Sequence, residues 1–236
     1  MERPLSFVPR GVIPVLIVAL MLQFGLRSNN PAPTPKASDL PPAPATSTLA
    51  FMSFGDPIPL AKVLMLYLQA FDYQSGDRKP YQALDYEKLQ IWLTRILRLD
   101  PNGQYPLMSA SRLYADVPNE AKKRRMLEFV YQEFFKDPNR RWPWLAHAAA
   151  VAKHGLNDLP LARKYAAAIQ SYAVGEDVPL WARQMEIFIL EDMNELETAR
   201  IMIGGYIDKG LIKNPGELRF LEDRLKEIET RINRQK

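Results

Sequence analysis

The residue types that support metal binding or catalysis are few in this sequence. His147 and His154 are its two histidines, and they fall seven residues apart on one predicted helix, about 10 Å apart along its axis. That separation excludes a shared metal ion, because ligand atoms lie about 2 Å from a bound metal. The chain has no cysteine, which removes thiolate catalysis, disulfides, zinc fingers and lipoprotein acylation. We therefore expect no metal and no cofactor.

Glu133 and Glu191 are the carboxylates that acid–base catalysis would use. A peptidoglycan-cleaving lytic enzyme needs a catalytic glutamate in a dedicated domain, whereas both glutamates fall inside predicted amphipathic helices. A solvated or paired carboxylate is the usual state of a glutamate there. Gly204 and Gly205 also fall inside a predicted helix, where they would permit close helix contact rather than bind phosphate. The sequence contains no G-x-S-x-G elbow, and we expect no catalytic residue.

Lys122, Lys123, Arg124 and Arg125 form the densest basic cluster of the chain. Four consecutive residues wrap a full helical turn and do not form a stripe, and the net charge of the chain is only +4. We interpret the cluster as a solvated helix face, with an acidic protein partner as the alternative. We predict no nucleic-acid partner.

An apolar segment near the amino terminus predicts a membrane anchor. Within residues 11–26 only Gln23 is markedly polar. Sixteen residues at about 1.5 Å each span about 24 Å, which is short of the ~30 Å hydrocarbon core unless the preceding residues extend the span. The alternative is a cleaved signal peptide, but Leu26 to Asn29 make a poor cleavage site. We therefore predict an uncleaved transmembrane helix at 11–27.

Charge and composition predict what flanks this anchor. Arg3 and Arg10 precede it and Arg27 follows it, a slight bias that makes residues 1–10 a short cytoplasmic tail. The remainder would then lie in the periplasm, attached to a bacterial inner membrane. Residues 28–50 are rich in proline and alanine and predict a disordered linker. This linker is either a tether that holds the body away from the bilayer or a joint without a spacing role.

The body, residues 51–236, has helical periodicity almost throughout, and no stretch alternates as a strand would. The short connections predict antiparallel packing of sequential helices. The predicted helices are 59–72, 86–99, 105–115, 119–136, 143–154, 160–172, 180–193, 195–209 and 215–234.

An internal repeat with a spacing of 37 residues is the strongest pattern in the body. Such a repeat predicts a stack of helix pairs, because one pair cannot bury its apolar face alone. The matched residues are Asp100-Pro101-Asn102 with Asp137-Pro138-Asn139, Trp144 with Trp181, Asn157 with Asn194, Leu159 with Leu196, and Ala162 with Ala199.

These residues resemble the tetratricopeptide-repeat family. Residues 85–89 and the exit 99–102 look like the second helix of such a repeat and its proline-marked end. Ala162 and Ala199 stand where the family has a small residue that lets paired helices approach, whereas Leu89 departs from that pattern. The period of 37 also exceeds the ~34 of the family. The resemblance implies architecture and does not identify a partner.

The last predicted helix has its own pattern. Asn214 and Pro215 supply a helix start, and leucines and isoleucines follow at steps of three and four residues to Ile232. The pattern lasts barely two heptads, so we predict a capping helix, with a dimerising coiled coil as the alternative.

The sequence therefore predicts an all-α protein: an α-α superhelix of tetratricopeptide-like hairpins with an amino-terminal transmembrane helix. The expected function is that of a membrane-anchored, non-catalytic scaffold that binds one or more proteins of the cell envelope, with partner-binding residues not identified. The alternative is a cell-wall-active, lytic transglycosylase-like enzyme or its accessory subunit. The expected partners are proteins and the lipid bilayer.

Overall fold

The computed structural model describes residues 12–29, 40–72 and 80–235, and within these ranges all regular elements are helical. The predicted all-α class is thereby confirmed. The chain divides into two units, Met1–Ser38 and Asp39–Lys236. The α-helices of the described residues are α1 (Val12–Asn29), α2 (Thr46–Met52), α3 (Pro57–Gln69), α4 (Tyr86–Leu99), α5 (Tyr105–Met108), α6 (Glu120–Phe134), α7 (Pro138–Gly155), α8 (Leu159–Tyr172), α9 (Leu180–Arg183), α10 (Met185–Asp192), α11 (Leu196–Asp208) and α12 (Pro215–Gln235).

The first unit contributes one described element, α1. Its large apolar side chains between Val15 and Leu22 are exposed. Judged over the described residues, no single helix is both long and apolar enough to cross a membrane. The α2–α3 pair, bent by 116°, meets the requirement of length and composition only when its two helices are taken together. The predicted tail, 1–10, lies outside the described residues.

The predicted linker and the structure differ over residues 40–50. Leu40 and Leu49 are about 1% exposed and belong to the main core, and α2 begins at Thr46. The indole Nε1 of Trp92 donates to the carbonyl oxygen of Pro41 at 2.8 Å. The proline-rich stretch between these two leucines, residues 41–44, therefore lies against α4, because burying the leucines offsets the entropy of ordering it. The rest of the predicted linker beyond Asn29 lies outside the described residues.

Most helix starts in the body follow local capping chemistry. The carboxylate of Asp85 accepts from the backbone N–H groups of Glu87 and Lys88, and that of Asp158 accepts from Leu161. Proline occupies the first or second position of α3, α5, α7 and α8, where its missing N–H leaves no helix bond unmade. These signals explain why most predicted helix bounds fall within a few residues of the observed ones.

Three predicted helices differ from the structure. The helix predicted at 143–154 begins five residues earlier, at Pro138, so Pro143 lies inside α7 rather than at its start. The helix predicted at 105–115 is α-helical only to Met108 and continues as a π-helix over Ser109–Tyr114. The helix predicted at 180–193 is broken at Gln184 into α9 and α10. In all three cases the prediction placed a helix in the right region. It missed where that helix begins, changes to a π-helix or breaks.

In the second unit, α6 contacts α8, and α8 contacts α11, through residues about one repeat step apart in the chain. The rings of Tyr131 in α6 and Tyr165 in α8 lie 5.2 Å apart, and the side-chain amide of Gln170 in α8 donates to Tyr206 in α11 at 3.1 Å. These contacts join residues separated by 34 and 36 positions. One core extends from Leu40 to Ile189, and a second lies around α10, α11 and α12. Contacts confined to near neighbours are typical of a stack of helix pairs.

Two of the matched pairs in the 37-residue repeat occupy equivalent places. Asn157 and Asn194 have φ of +53° and +59°, and each lies in the tight turn that joins the two helices of a hairpin. Asparagine tolerates this left-handed conformation better than most residues. Ala162 and Ala199 are the fourth residues of α8 and α11, and both are fully buried.

Candidate protein-binding groove

His147 and His154 line a polar pocket of about 560 Å³ between the π-helix and α7. Burial lowers the pKa of His147, and the nearby charge of Arg112 lowers it further. The pocket contains no cluster of ligands, and across the described residues no group of three His, Cys, Asp or Glu side chains could hold a metal ion.

Glu133 is buried in an ion pair. Its Oε2 lies 2.9 Å from Nη1 of Arg141, which is itself buried, and the same Nη1 donates to the backbone carbonyl of Glu133 at 2.6 Å. The Nη2 of Arg141 donates to the carbonyl oxygen of Pro101 at 2.9 Å. Arg141 therefore joins α6, α7 and the turn after α4, and Oε2 of the Glu133 carboxylate is held in this ion pair.

Glu191 has the same character in the last hairpin. Its carboxylate is buried and lies 2.7 Å from Nη2 of Arg224 and 3.4 Å from Nη1 of Arg231, both in α12. Because two arginines of the capping helix surround it, Glu191 attaches α12 to α10.

The basic cluster of α6 first makes contacts back to α4 and the segment before it. Lys122 donates from Nζ to the carbonyl oxygens of Gln82 and Leu84 at 2.7 and 2.9 Å. Arg125 donates to Oε1 of Glu87 at 2.8 Å.

The other two cations of the cluster make contacts forward to the α7–α8 turn. Lys123 donates to the carbonyl oxygen of Gly155 at 3.2 Å, and Nη1 of Arg124 lies 2.7 Å from Oδ2 of Asp158. The cluster is therefore a helix face that also bonds to its neighbours, since the Arg124 and Arg125 side chains keep 40% and 41% of their surface exposed. A full turn of charge suits this position, because α6 has a neighbour on each side.

Gly204 and Gly205 do not mark a close helix contact. A Cβ atom added at either position would meet no other atom within 4 Å. The prediction that these glycines permit close approach is wrong for the described contacts of α11.

An apolar groove of about 570 Å³ lies between α3, α4 and the start of α5. Its volume is in the range of pockets that hold a few side chains of a ligand. Lys62, Asp100 and Gln104 supply its polar groups, whereas the other side chains of its wall are mainly apolar. The main apolar residues are Ala61, Met65, Leu66, Ile96, Tyr105 and Pro106.

One wall of the groove is the turn that contains Asp100-Pro101-Asn102. Gly103 follows this turn, and a Cβ atom there would lie 2.9 Å from Oδ2 of Asp100 and 3.1 Å from its carbonyl oxygen, so a side chain would force the turn to shift. The next hairpin fixes the turn from behind: Arg141 binds Pro101, and Nε1 of Trp144 donates to Oε1 of Gln104 at 2.6 Å. The side-chain amide of Gln69 in α3 donates to the hydroxyl of Tyr105. Hydrogen bonds between the segments that form the groove thus fix the positions of its walls.

Exposed aromatic side chains recur on the first helices of successive hairpins. Tyr105 and Trp181 are both exposed, and Trp142 lies against Trp181 with ring centroids 5.3 Å apart in an edge-to-face arrangement. Tyr105 belongs to the groove, and Trp142 belongs to the same helix as Trp144, which binds the groove wall. We call Tyr105, Trp142, Trp144 and Trp181 the aromatic row.

The structure brings only part of the predicted repeat set to the groove. Asp100 lines it, Pro101 is bound at its back, and Trp144 supports it, whereas Asn157, Asn194, Ala162 and Ala199 lie in turns and helix contacts elsewhere. Sequence reasoning missed Leu66, which is 66% exposed. The available signal was α3 itself, because a helix that is apolar around its whole circumference has more apolar surface than one core face can bury.

The chain matches no family model, no curated protein and no solved structure. The described residues provide a candidate binding site. It consists of an apolar groove with a few polar groups, a turn held by hydrogen bonds beside it, and aromatic side chains along the adjoining helices.

Proposed function

We propose that this chain is a non-catalytic scaffold whose groove between α3, α4 and α5 binds an apolar segment of another protein. The groove carries the proposal, because it combines a concave apolar wall that is open to solvent with a few polar groups that could orient a ligand. A ligand segment that places two or three apolar side chains in the groove would cover Leu66 and Tyr105. Lys62 and Asp100 would orient it by bonding its polar groups.

The proposed architecture is a tetratricopeptide-like superhelix. It is supported by contacts one repeat step apart and by the equivalent left-handed turns at Asn157 and Asn194. Stacked hairpins present a continuous surface on their first helices. The aromatic row lies on those helices, so a longer partner segment would continue from the groove along it.

The proposal also places the chain at a bacterial inner membrane, held by α1, with the body on the periplasmic side. The exposed apolar side chains of α1 support this part. The benefit of such an anchor is effective concentration, since a partner in the same membrane meets the groove more often than a freely diffusing one.

A matched pair of variants tests the groove. Leu66 and Ile201 are both 66% exposed, and only Leu66 lines the groove. Leu66→Glu should abolish co-purification of the partner from solubilised membranes, because it buries a charge in an apolar contact. Ile201→Glu should leave it intact. Equal capture by both variants would refute the groove, and peptidoglycan cleavage by the purified protein would refute the non-catalytic assignment.

A further inference from the structure

The elbow between α2 and α3 presents large apolar side chains to solvent. The elbow consists of residues 51–58, and the axes of its two helices differ by 116°. Phe54 is 90% exposed and Phe51 is 79% exposed, with ring centroids 6.2 Å apart. Met52, between them in the sequence, and Ile58, at the start of α3, are also exposed. Four adjacent exposed apolar residues form a patch, and patches of this kind mark contact sites.

The backbone of the elbow holds Phe54 outward in a conformation that a phenylalanine rarely adopts. Phe54 has φ of +48° and Gly55 has φ of +90°. The conformation is fixed by the N–H of Asp56, which donates to the carbonyl oxygen of Ser53 at 2.9 Å, and by the Asp56 carboxylate, which caps α3 at Ile58. A left-handed phenylalanine is strained, and burial within the described residues does not compensate for that strain.

The opposite side of the α2–α3 pair packs against the core. Leu49 of α2 and Ala61, Leu64 and Leu68 of α3 are buried against the rest of the body. The α2–α3 pair therefore has one free apolar side. One free apolar side is the arrangement of a segment that lies on a membrane surface, whereas a lipid-spanning helix is apolar on all sides.

The composition of the elbow favours a lipid surface as its ligand. From Thr46 to Gln69 the only charged residues are Asp56, which caps α3, and Lys62, which lines the groove. The elbow thus offers the aromatic and aliphatic side chains that the apolar side of an interfacial segment places at the boundary between lipid headgroups and acyl chains. From Asn29 to Leu40 the chain makes eleven steps, which reach at most about 40 Å. This reach does not prevent the second unit from contacting a bilayer that holds α1.

We propose that the elbow docks on the bilayer surface, with Phe51 and Phe54 in the headgroup–acyl boundary, as a second membrane contact besides α1. This inference rests on the membrane attachment in the proposed function. Docking at the elbow would set the orientation of the adjacent groove relative to the membrane, because α3 forms part of both.

Because the chain has no cysteine, single spin labels can test the proposal in the full-length protein. Ser53→Cys labels the half-buried centre of the elbow, and Ser171→Cys, on the exposed end of α8, is a surface control. In vesicles of phosphatidylcholine and phosphatidylglycerol, the Ser53→Cys label should collide with oxygen in preference to a water-soluble nickel chelate. The Ser171→Cys label should show the opposite preference.

A second set of variants identifies the side chains responsible. Phe51→Ser with Phe54→Ser should return the Ser53→Cys label to the aqueous pattern, and the protein should stay with the vesicles through α1. Since both phenylalanines are exposed, the helical content should not change. A Ser53→Cys label as accessible to the chelate as the control, or one unaffected by the double change, would overturn the proposal. A label shielded from both reagents and broadened by a second label would indicate a second copy of the chain instead.

An alkaline wash separates this inference from the proposed anchor. If the wash releases the full-length protein, membrane anchoring by α1 fails. The elbow is then judged by whether adding vesicles moves the Ser53→Cys label from the aqueous to the lipid pattern: such a shift supports docking, and its absence refutes docking.

Discussion

The first hairpin, α3–α4, and the middle of the stack, α6–α8, are built on different contacts. Around α6, four consecutive cations bond to the elements on both sides, and Glu133 is paired with Arg141 in the interior. Over the described residues no ion pair involves a residue before Glu87. The core side of α3 packs through apolar residues such as Ala61, Leu64 and Leu68. Polar bonds thus connect α6 to the elements before it and after it. The first hairpin keeps an unfilled apolar surface, and that surface is where the groove lies.

The largest expected effect breaks the polar side of this comparison. Arg141→Ala removes the buried partner of Glu133, which keeps only the exposed Lys136, and frees the carbonyl of Pro101, so the free energy of unfolding should fall by about 3 kcal/mol. Arg140→Ala is the control, since its pair with Asp137 is at the surface and should be worth less than about 1 kcal/mol. Urea titration measures both. Equal small losses would show that the buried pair does not support the stack.

Overpacking the hairpin contacts should have the next largest effect. Ala162 and Ala199 are fully buried at equivalent positions, so Ala162→Leu or Ala199→Leu should each lower the free energy of unfolding by about 1–3 kcal/mol. Ala121→Leu, at an exposed position of α6, should cost little. A loss for one buried alanine without the other would mean that the two positions are not equivalent.

A buried acid makes the first hairpin sensitive to pH. Asp72 is buried and accepts from the Tyr114 hydroxyl at 3.1 Å with Oδ2, whereas its Oδ1 has no partner among the described residues. Burial raises its pKa from the ordinary 3.8 to about 6, and the hydrogen bond from Tyr114 opposes that rise. The folded state thus binds the proton more tightly than the unfolded chain, so this group contributes more stability as pH falls from above 6 toward 4.

Asp72→Asn removes this titration. The free energy of unfolding of the unsubstituted protein, relative to Asp72→Asn, should therefore be larger at pH 5 than at pH 8. Urea titrations of both proteins at the two pH values measure the difference. The same difference at both values would mean that Asp72 titrates alike in the folded and unfolded chains.

The smallest effect concerns glycine in α11. Gly204→Ala should raise the free energy of unfolding by about 0.5–1 kcal/mol, because the helix interior favours alanine and the new Cβ meets open space. Gly55→Ala is the matched control: space is also open there, but φ is +90°, so the change should destabilise. Thermal unfolding measures both variants. If Gly55→Ala also raised the free energy of unfolding, backbone conformation would not decide whether alanine stabilises or destabilises the protein.

Much of the helical architecture was predictable, because capping residues and apolar periodicity act locally. The repeat also predicted residues whose conformation matches, as at Asn157 and Asn194. It failed where one tripeptide has two roles: Asp100 ends α4, whereas Asp137 precedes the first residue of α7. The residues that follow the tripeptides differ: Gly103 follows the first, whereas Arg140 and Arg141 follow the second inside α7, and Arg141 bonds back to Pro101 of the first.

The groove was less predictable than the fold. Its lining comes from three helices, so no single segment contains its pattern. The basic cluster on α6 was visible in the sequence, but its partners include the backbone carbonyls of Gln82, Leu84 and Gly155, which composition does not reveal. The exposed side of α3 was the one available signal, and an apolar helix alone does not show which side will be left uncovered.

Site-specific photo-crosslinking in living cells tests the central claim most directly. A photoreactive phenylalanine analogue at Leu66 should give a discrete crosslinked adduct with another protein, whereas the same analogue at Ile201, equally exposed on α11, should not. Tyr105→Ala in the Leu66-labelled protein should reduce the adduct, because Tyr105 forms the facing part of the groove. Equal crosslinking at Leu66 and Ile201, or no adduct at Leu66, would contradict the assignment of the groove as the partner-binding site.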